Sequence, residues 1–465
     1  MGVFSKQTAD GTPRKPAWDP SFKEDRGALL KATGTCFLIA LILLYAIQSL
    51  YFGALYRQPQ NTYRLTVRVL DLDSQYARQT AGAPDAILGP AIIQAIRNTQ
   101  QARPDFTLGW QIADQEELNQ FKLTPEDQGL NVSNYARDLV LDQTVFGAVV
   151  IHPNATTLAT QAAQQGIASY DPRGSISFYY EESRNLFSVL LWVARFTTDV
   201  LAAGVSQASS QFASQFISTT NTTALTTAAP VITTPFSYSE FNLVPFKYLA
   251  AEPPTTAGTI YLIIFTFFIT PVSRMTMMPL RQRLNVHSEM LLTIVLPLML
   301  WFWVSLCYSL VTLAFHVPMT VKFGHGGFPI FWALNWVTMA ALGLVMENAF
   351  SLLGLMYFPF FLVFWVVLQV SVAFIDVADS DHFYSYAFVT PVFNAVDGSK
   401  CILLGTKNHL VQNFVVNLSW VVVAGISLML VTGYQRRKRL QGGPPPLPKA
   451  IEEKQAAKAK GNGAA

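Results

Sequence analysis

Residues 328–375 read FPIFWALNWVTMAALGLVMENAFSLLGLMYFPFFLVFWVVLQVSVAFI, and Glu347 is the one charged side chain among them. A helix rises about 1.5 Å per residue, so about 20 residues cross the roughly 30 Å of hydrocarbon in a bilayer. The stretch is twice that long and predicts two membrane spans back to back. Glu347, Asn348 and Ser351 mark the expected turn, where freed backbone groups and a carboxylate reach interfacial water. Everything else in the chain must fit a membrane bundle.

Composition agrees. The 465 residues are 51% hydrophobic and 13% charged, against about 25% charged in an ordinary globular domain. Charges gather in the two tails and between Arg57 and Arg195, leaving the apolar segments almost bare. The net charge of +3 says little by itself, and no nucleic-acid partner is expected. Cys36, Cys307 and Cys401 are far apart and the first two fall in apolar runs, so no disulfide framework, zinc site or other metal site can be read. No cofactor is expected.

Residues 1–31 form a polar, Pro-containing tail with Arg14, Lys15, Lys23, Arg26 and Lys31 ahead of the first apolar run, and read as cytosolic. Residues 32–56 give an uncharged span ending in Tyr51, Phe52 and Tyr56, too long and too internal for a cleaved signal. From 57 to 257 the composition is that of a soluble domain. Tyr63, Leu65, Val67 and Val69 alternate with polar residues, which is period-2 strand patterning. A helix is expected after Asp85 as its N-cap, a second strand at 145–151, a helix capped by Asn154 and stopped by Gly166, and a third strand at 175–181. Alternating strands and helices indicate an α/β domain. Residues 186–216 are amphipathic at helical spacing, and Arg195 and Asp199 within them argue for a domain helix over a span. Sequons at Asn131, Asn154 and Asn221 fall in this region and fit an extracellular domain, whereas the sequon at Asn417 lies inside a span.

Further spans are expected at 259–272, 290–316, 328–346, 350–375 and 414–434. Arg274, Arg281 and Arg283 then fall in one cytoplasmic loop, and Arg436, Arg437, Lys438 and Arg439 follow the last span on the same side. Both clusters obey the positive-inside rule. The fold class is therefore an α-helical membrane protein with six transmembrane helices, one plus five, and an α/β extracytoplasmic domain inserted after the first. The five-helix bundle occupies 258–434, with a re-entrant or interfacial segment near 383–409, and a basic, Pro-rich cytosolic tail fills 435–465. The run from Pro444 to Pro448 favours polyproline II and reads as a spacer, with docking to an SH3-like domain as the alternative.

Several blocks resemble the fungal nitrosoguanidine-resistance family of DUF3533-like membrane proteins. They are GTIYLIIFTFF at 258–268, SLCYSLVTLAFHVPMTVKFGHGGFPIFWALNW at 305–336, GLVMEN at 343–348 and TPVFNAVDGSKCILLGTKNHLVQNFVVNLSW at 390–420, with VFGAVVIHPNATTLA at 145–159 and FYYEESRN at 178–185. That family is similar in architecture to the membrane subunits of type-2 ABC exporters. The resemblance implies plasma-membrane export of, or resistance to, toxic alkylating molecules. Its expected partners are the lipid bilayer, amphipathic small molecules or phospholipids, membrane or cytosolic proteins, and a second copy in a homodimer. A non-transporting membrane organiser is the alternative. No G-x-x-x-x-G-K-[ST], G-x-S-x-G or H-E-x-x-H sequence occurs, so neither an ATPase nor a hydrolase is expected.

Glu347 is a candidate proton or cation site at membrane depth, or else an interfacial turn residue. Asn335, Gln369 and Asn417 sit in separate spans, where they either bond across helices or line a polar path. Asp376, Asp379, Asp381 and His382 crowd the outer end of the fifth span as a cation site or a solvated loop. Arg274, Arg281 and Arg283 face an anionic inner leaflet, bind a cytosolic partner, or simply set topology.

Overall fold

The computed structural model describes residues 19–121, 130–167, 169–219, 229–281 and 284–441. The expectations for Arg14, Lys15, Asn221, Arg283 and the proline run at 444–448 lie outside the described residues. A long helix, α1 (Lys23–Tyr56), leads into a five-stranded mixed sheet. Strand β1 (Thr66–Asp71) pairs in parallel with β2 (Gly109–Ile112) and β3 (Gly147–Ile151). Strand β4 (Ile176–Tyr180) runs antiparallel to β3 and parallel to β5 (Tyr238–Asn242). Every residue of β3 is buried, as a central strand covered on both faces requires.

Alternation along the strands sorts side chains into two cores. Val67, Val69, Val149 and Ile151 pack under helices α2 (Leu88–Ala102) and α4 (Ala155–Gln165), and Leu70, Ala148 and Val150 pack under α3 (Leu130–Leu141). Three strands were legible as alternating or apolar runs; β2 and β5 are short edge strands with half-exposed residues and no such signal. Asp85 is not the cap of α2: Ile87 holds that place, and Gly89 and Pro90 fit the first turn, where a missing N–H costs nothing. Asn154 precedes α4 in a left-handed conformation with no side-chain cap bond, and Gly166 ends it at φ 64°, as expected.

Leu186–Ser218 is long and apolar enough to cross a bilayer. Its apolar face is spent elsewhere. Val189, Val193, Leu201, Ala208 and Phe212 join the α2 core, and α5 (Arg195–Thr219) lies along α2. A π-helical stretch at Val189–Ala194 opens this helix.

Below the domain stand α6 (Ile260–Arg281), α7 (Val286–Ala314), α8 (Gly327–Val370), α9 (Pro391–Leu404) and α10 (Leu410–Gln441). Helix α8 breaks at Gly354, whose φ of 71° with ψ of 175° only glycine adopts readily. Side-chain levels show that the chain folds back there. Asn417 meets Thr338, Asn348 meets Ala424 and Ser351 meets Gln435, so the first arm runs parallel to α10. Trp365, beyond the break, returns to the level of Trp420, and the Phe350 and Phe358 rings lie 5.2 Å apart. In an unbroken helix eight residues advance about 12 Å. The stretch therefore forms two helical arms, but the turn is at Gly354 and not at Glu347–Ser351. The polar trio instead stays helical: Ser351 donates to the Glu347 carbonyl, and Asn348 bonds the carbonyls of Leu344 and Ala424.

Helix α6 also outruns its expected end at Val272, passing Pro271 and Pro279 to Arg281. Arg274 is consequently buried inside the bundle and not in a loop. The segment expected to be re-entrant or interfacial is a 3-10 helix, His382–Val389, bent by 72° against α9. Almost all of α9 is buried.

Candidate functional site

The sheet ends where the bundle begins, and charged groups from both sides meet there. The turn after β4 delivers Glu181, Arg184 and Asn185 to this junction. The Arg184 guanidinium lies 3.5 Å from the centre of the Phe146 ring and donates to the carbonyls of Gln143 and Val145 at 3.1 and 3.0 Å. It faces Asp376 at 4.0 Å, and Lys400 on α9 donates to the Arg184 carbonyl at 2.9 Å. Less than one turn before Lys400, Asp397 accepts from Asn413 at 3.0 Å and lies 3.3 Å from His409 Nδ1. Between these groups is a cavity of about 520 Å³, with Arg64 and His382 also in its wall and Phe388, Phe393 and Val396 forming an apolar side. A space lined by both charges and rings suits a molecule with a polar head and an apolar body.

Burial shapes the electrostatics. It pushes the Glu181 carboxyl up to about 7 against the pull of Arg184, and lowers the Arg184 guanidinium. Asp379 also rises to about 7, through burial first and the neighbouring Asp376 second. Asp379 accepts from Gln58 at 2.7 Å, just beyond the end of α1, so it ties the segment that follows the first helix to the bundle. Asp381 caps the 382–389 helix and lies 4.0 Å from Arg57. The three aspartates thus turn to different partners while His382 lines the cavity, and no metal-holding group of His, Cys, Asp or Glu exists among the described residues.

The intramembrane candidates divide into three roles. Asn335 donates to Ser309 Oγ and Asn417 to Thr338 Oγ1, both at 3.1 Å. Asn335 and Thr338 are one turn apart, as are Asn413 and Asn417, so these bonds form one buried polar strip descending from Asp397. The amide oxygens of Asn335 and Asn417 have no partner among the described residues. Gln369 stands apart. Its oxygen accepts from the Val392 amide at 3.2 Å, which caps α9 in place of Thr390. Below the strip the bundle closes: Trp301, Met339, Leu342 and Leu344 are buried, and a Cβ on Gly343 would lie 2.3 Å from the Trp301 ring.

Glu347 lies beyond that layer, fully buried, in contact with the Arg274 guanidinium and accepting from Ser273 at 3.3 Å. It sits within the helix and not at the turn, and it pairs with Arg274. Sequence reasoning missed this pair because it put the arginine in a loop. It also missed Arg184 and Lys400, which carry no distinct sequence signal: Arg184 follows Glu181 and Glu182, and Lys400 stands between Asp397 and Lys407. Of the sequons, Asn131 is exposed in the first turn of α3 and Asn154 is half-buried.

The bundle contains enough long apolar helices for a multi-pass membrane protein. The chain is 24% identical over 431 residues to an uncharacterized endoplasmic reticulum membrane protein of Saccharomyces cerevisiae, covering 89% of this chain and 81% of that one. No solved structure matches it. The family described as protein of unknown function, DUF3533, matches residues 35–426, and the chain belongs to that family.

Proposed function

We propose that this protein moves, or helps to move, amphipathic molecules such as phospholipids or alkylating toxicants across its membrane. The observation that carries this reading is the charged cavity at the domain–bundle junction, which continues into the bundle as the polar strip through Asn413, Asn417, Thr338 and Asn335. A polar head lodges among Arg184, Asp376 and Lys400 while the body lies against Phe388 and Phe393. The strip's unpartnered amide oxygens then offer acceptors below. The resemblance to nitrosoguanidine-resistance proteins and to exporter architecture supports the same reading. The chain carries no catalytic step of its own here, and ATP coupling would come from a separate subunit.

In this reading the domain faces outward and the basic ends of α6 and α10 face the cytosol, in keeping with the positive-inside rule. The yeast relative is described as an endoplasmic reticulum protein. Lumen and cell exterior are the same topological side, so the orientation holds for the plasma membrane and for that compartment alike.

The packed layer at Trp301 and Gly343 favours a second reading, a non-transporting organiser acting through protein partners. Efflux of a labelled alkylating toxicant and movement of fluorescent phospholipids separate the two. Transport predicts fluxes that depend on the gene and fall at least severalfold in the Asn335→Leu, Asn417→Leu double variant, which seals the strip without touching a charge. Equal fluxes with and without the gene, alongside a persisting resistance phenotype, leave the organiser.

A further inference from the structure

At the end of the bundle away from the domain, three arginines converge on one carboxylate. Glu289, in the first turn of α7, is 1% exposed. Arg436 donates to it at 2.6 Å and Arg439 at 2.8 Å, both from the last turns of α10, and Arg281 at the end of α6 lies 3.7 Å away. Arg436 also holds the Leu284 carbonyl at 2.9 Å. Two positive charges are left over. Nε and Nη2 of Arg281 are buried with no hydrogen-bond partner among the described residues, and Arg439 is half exposed. The amino-terminal end of the 29-residue α7 adds the positive end of its dipole at the same place.

We propose that this cluster is a binding site for a lipid whose head group carries a phosphate monoester, held in the leaflet at this end of the bundle. A monoester carries about −1.5 to −2 charges near neutral pH, which matches the excess, whereas the diester of an ordinary phospholipid carries one. Arginine forks bind phosphate oxygens in pairs, and Arg281 has two donors to give. A lipid source fits because the cluster lies at the ends of membrane helices, where the head-group layer meets the protein. The arginines thereby do more than fix topology. This inference stands independently of the transport reading, since its site is on the opposite side of the packed Trp301 layer.

Purified full-length protein is titrated with four probes: dioctanoyl phosphatidic acid, dioctanoyl phosphatidylinositol 4-phosphate, dioctanoyl phosphatidylcholine and inorganic phosphate. Saturable binding of the two monoester lipids, at least tenfold tighter than the other two probes, is the expected result. The Arg436→Lys, Arg439→Lys variant keeps the charge that sets topology and removes the forks, and is expected to bind the monoester lipids about tenfold more weakly. Arg281→Lys, the second variant, is expected to show the same loss, and monodisperse elution confirms that each variant is folded. Equal binding of phosphatidylcholine, or wild-type affinity in both lysine variants, overturns the site. Inorganic phosphate binding as tightly as the lipids shows a free-anion site and overturns the lipid assignment.

Discussion

A charge at membrane depth persists where a partner neutralises it, and Arg274 and Glu347 meet that condition for each other. Removing one partner leaves the other buried and unpaired, which costs about 3–5 kcal/mol. Glu347→Gln is therefore expected to lower the unfolding midpoint of the purified protein sharply, and Glu347→Gln with Arg274→Gln to recover most of that loss. A double variant no more stable than the single would show that the pair is not a unit. Half of this pair was legible from sequence, because an isolated carboxylate in an apolar run announces itself. The other half was not, since the expected span stopped at 272 and left Arg274 in a loop, whereas α6 continues to Arg281. Asn335 and Asn417 were likewise visible as polar residues in spans, but their alignment through Thr338 depends on how α8 packs on α10.

At the scale of elements, the length of 328–375 foretold two helices folded back on each other, while its polar residues misplaced the turn. Polar side chains at Asn348 and Ser351 suggested a break, yet both bond helix carbonyls and leave the backbone intact. Glycine's access to positive φ decided the matter. The joint between domain and bundle was invisible in the sequence, since Gln58, the turn with Glu181 and Arg184, Asp379 and Lys400 come from four separate segments. Its buried acids have a consequence. Glu181 and Asp379 titrate near 7 in the folded protein and near 4 when unfolded, so between those values the folded state holds protons that the unfolded chain has released. Stability is then greatest at the acid end of that window and falls as pH rises through 7. The unfolding midpoint is expected to be higher at pH 5.5 than at pH 8, and Asp379→Asn to flatten the slope and raise the pH 8 value. An unchanged slope in that variant would remove Asp379 from the joint's titration.

For the whole molecule, the count of crossings fixes which surfaces share a compartment. In the arrangement proposed above, the six crossings are α1, α6, α7, the two arms of α8, and α10; the helix at Leu186–Ser218, itself long and apolar enough to cross, stays in the domain, and the bent pair of 382–389 and α9 returns to its own side. Either exception, if it crossed, would reverse every later segment. Three single cysteines test the count: Arg97→Cys on α2, Ser218→Cys near the end of α5, and Arg437→Cys on α10, all at exposed positions. Native Cys36 and Cys307 are exposed on apolar helices that the proposed arrangement places in the bilayer, and Cys401 is buried, so a membrane-impermeant maleimide is expected to meet little background. In sealed vesicles of known orientation, the first two cysteines are expected to react from one side and the third only from the other. Opposite labelling of Arg97→Cys and Ser218→Cys would make Leu186–Ser218 a span and dismantle the domain core built on Val193 and Phe212. Same-side labelling of all three would instead require the bent pair to cross, and the charged cavity at its bend would then lie within the membrane and not above it.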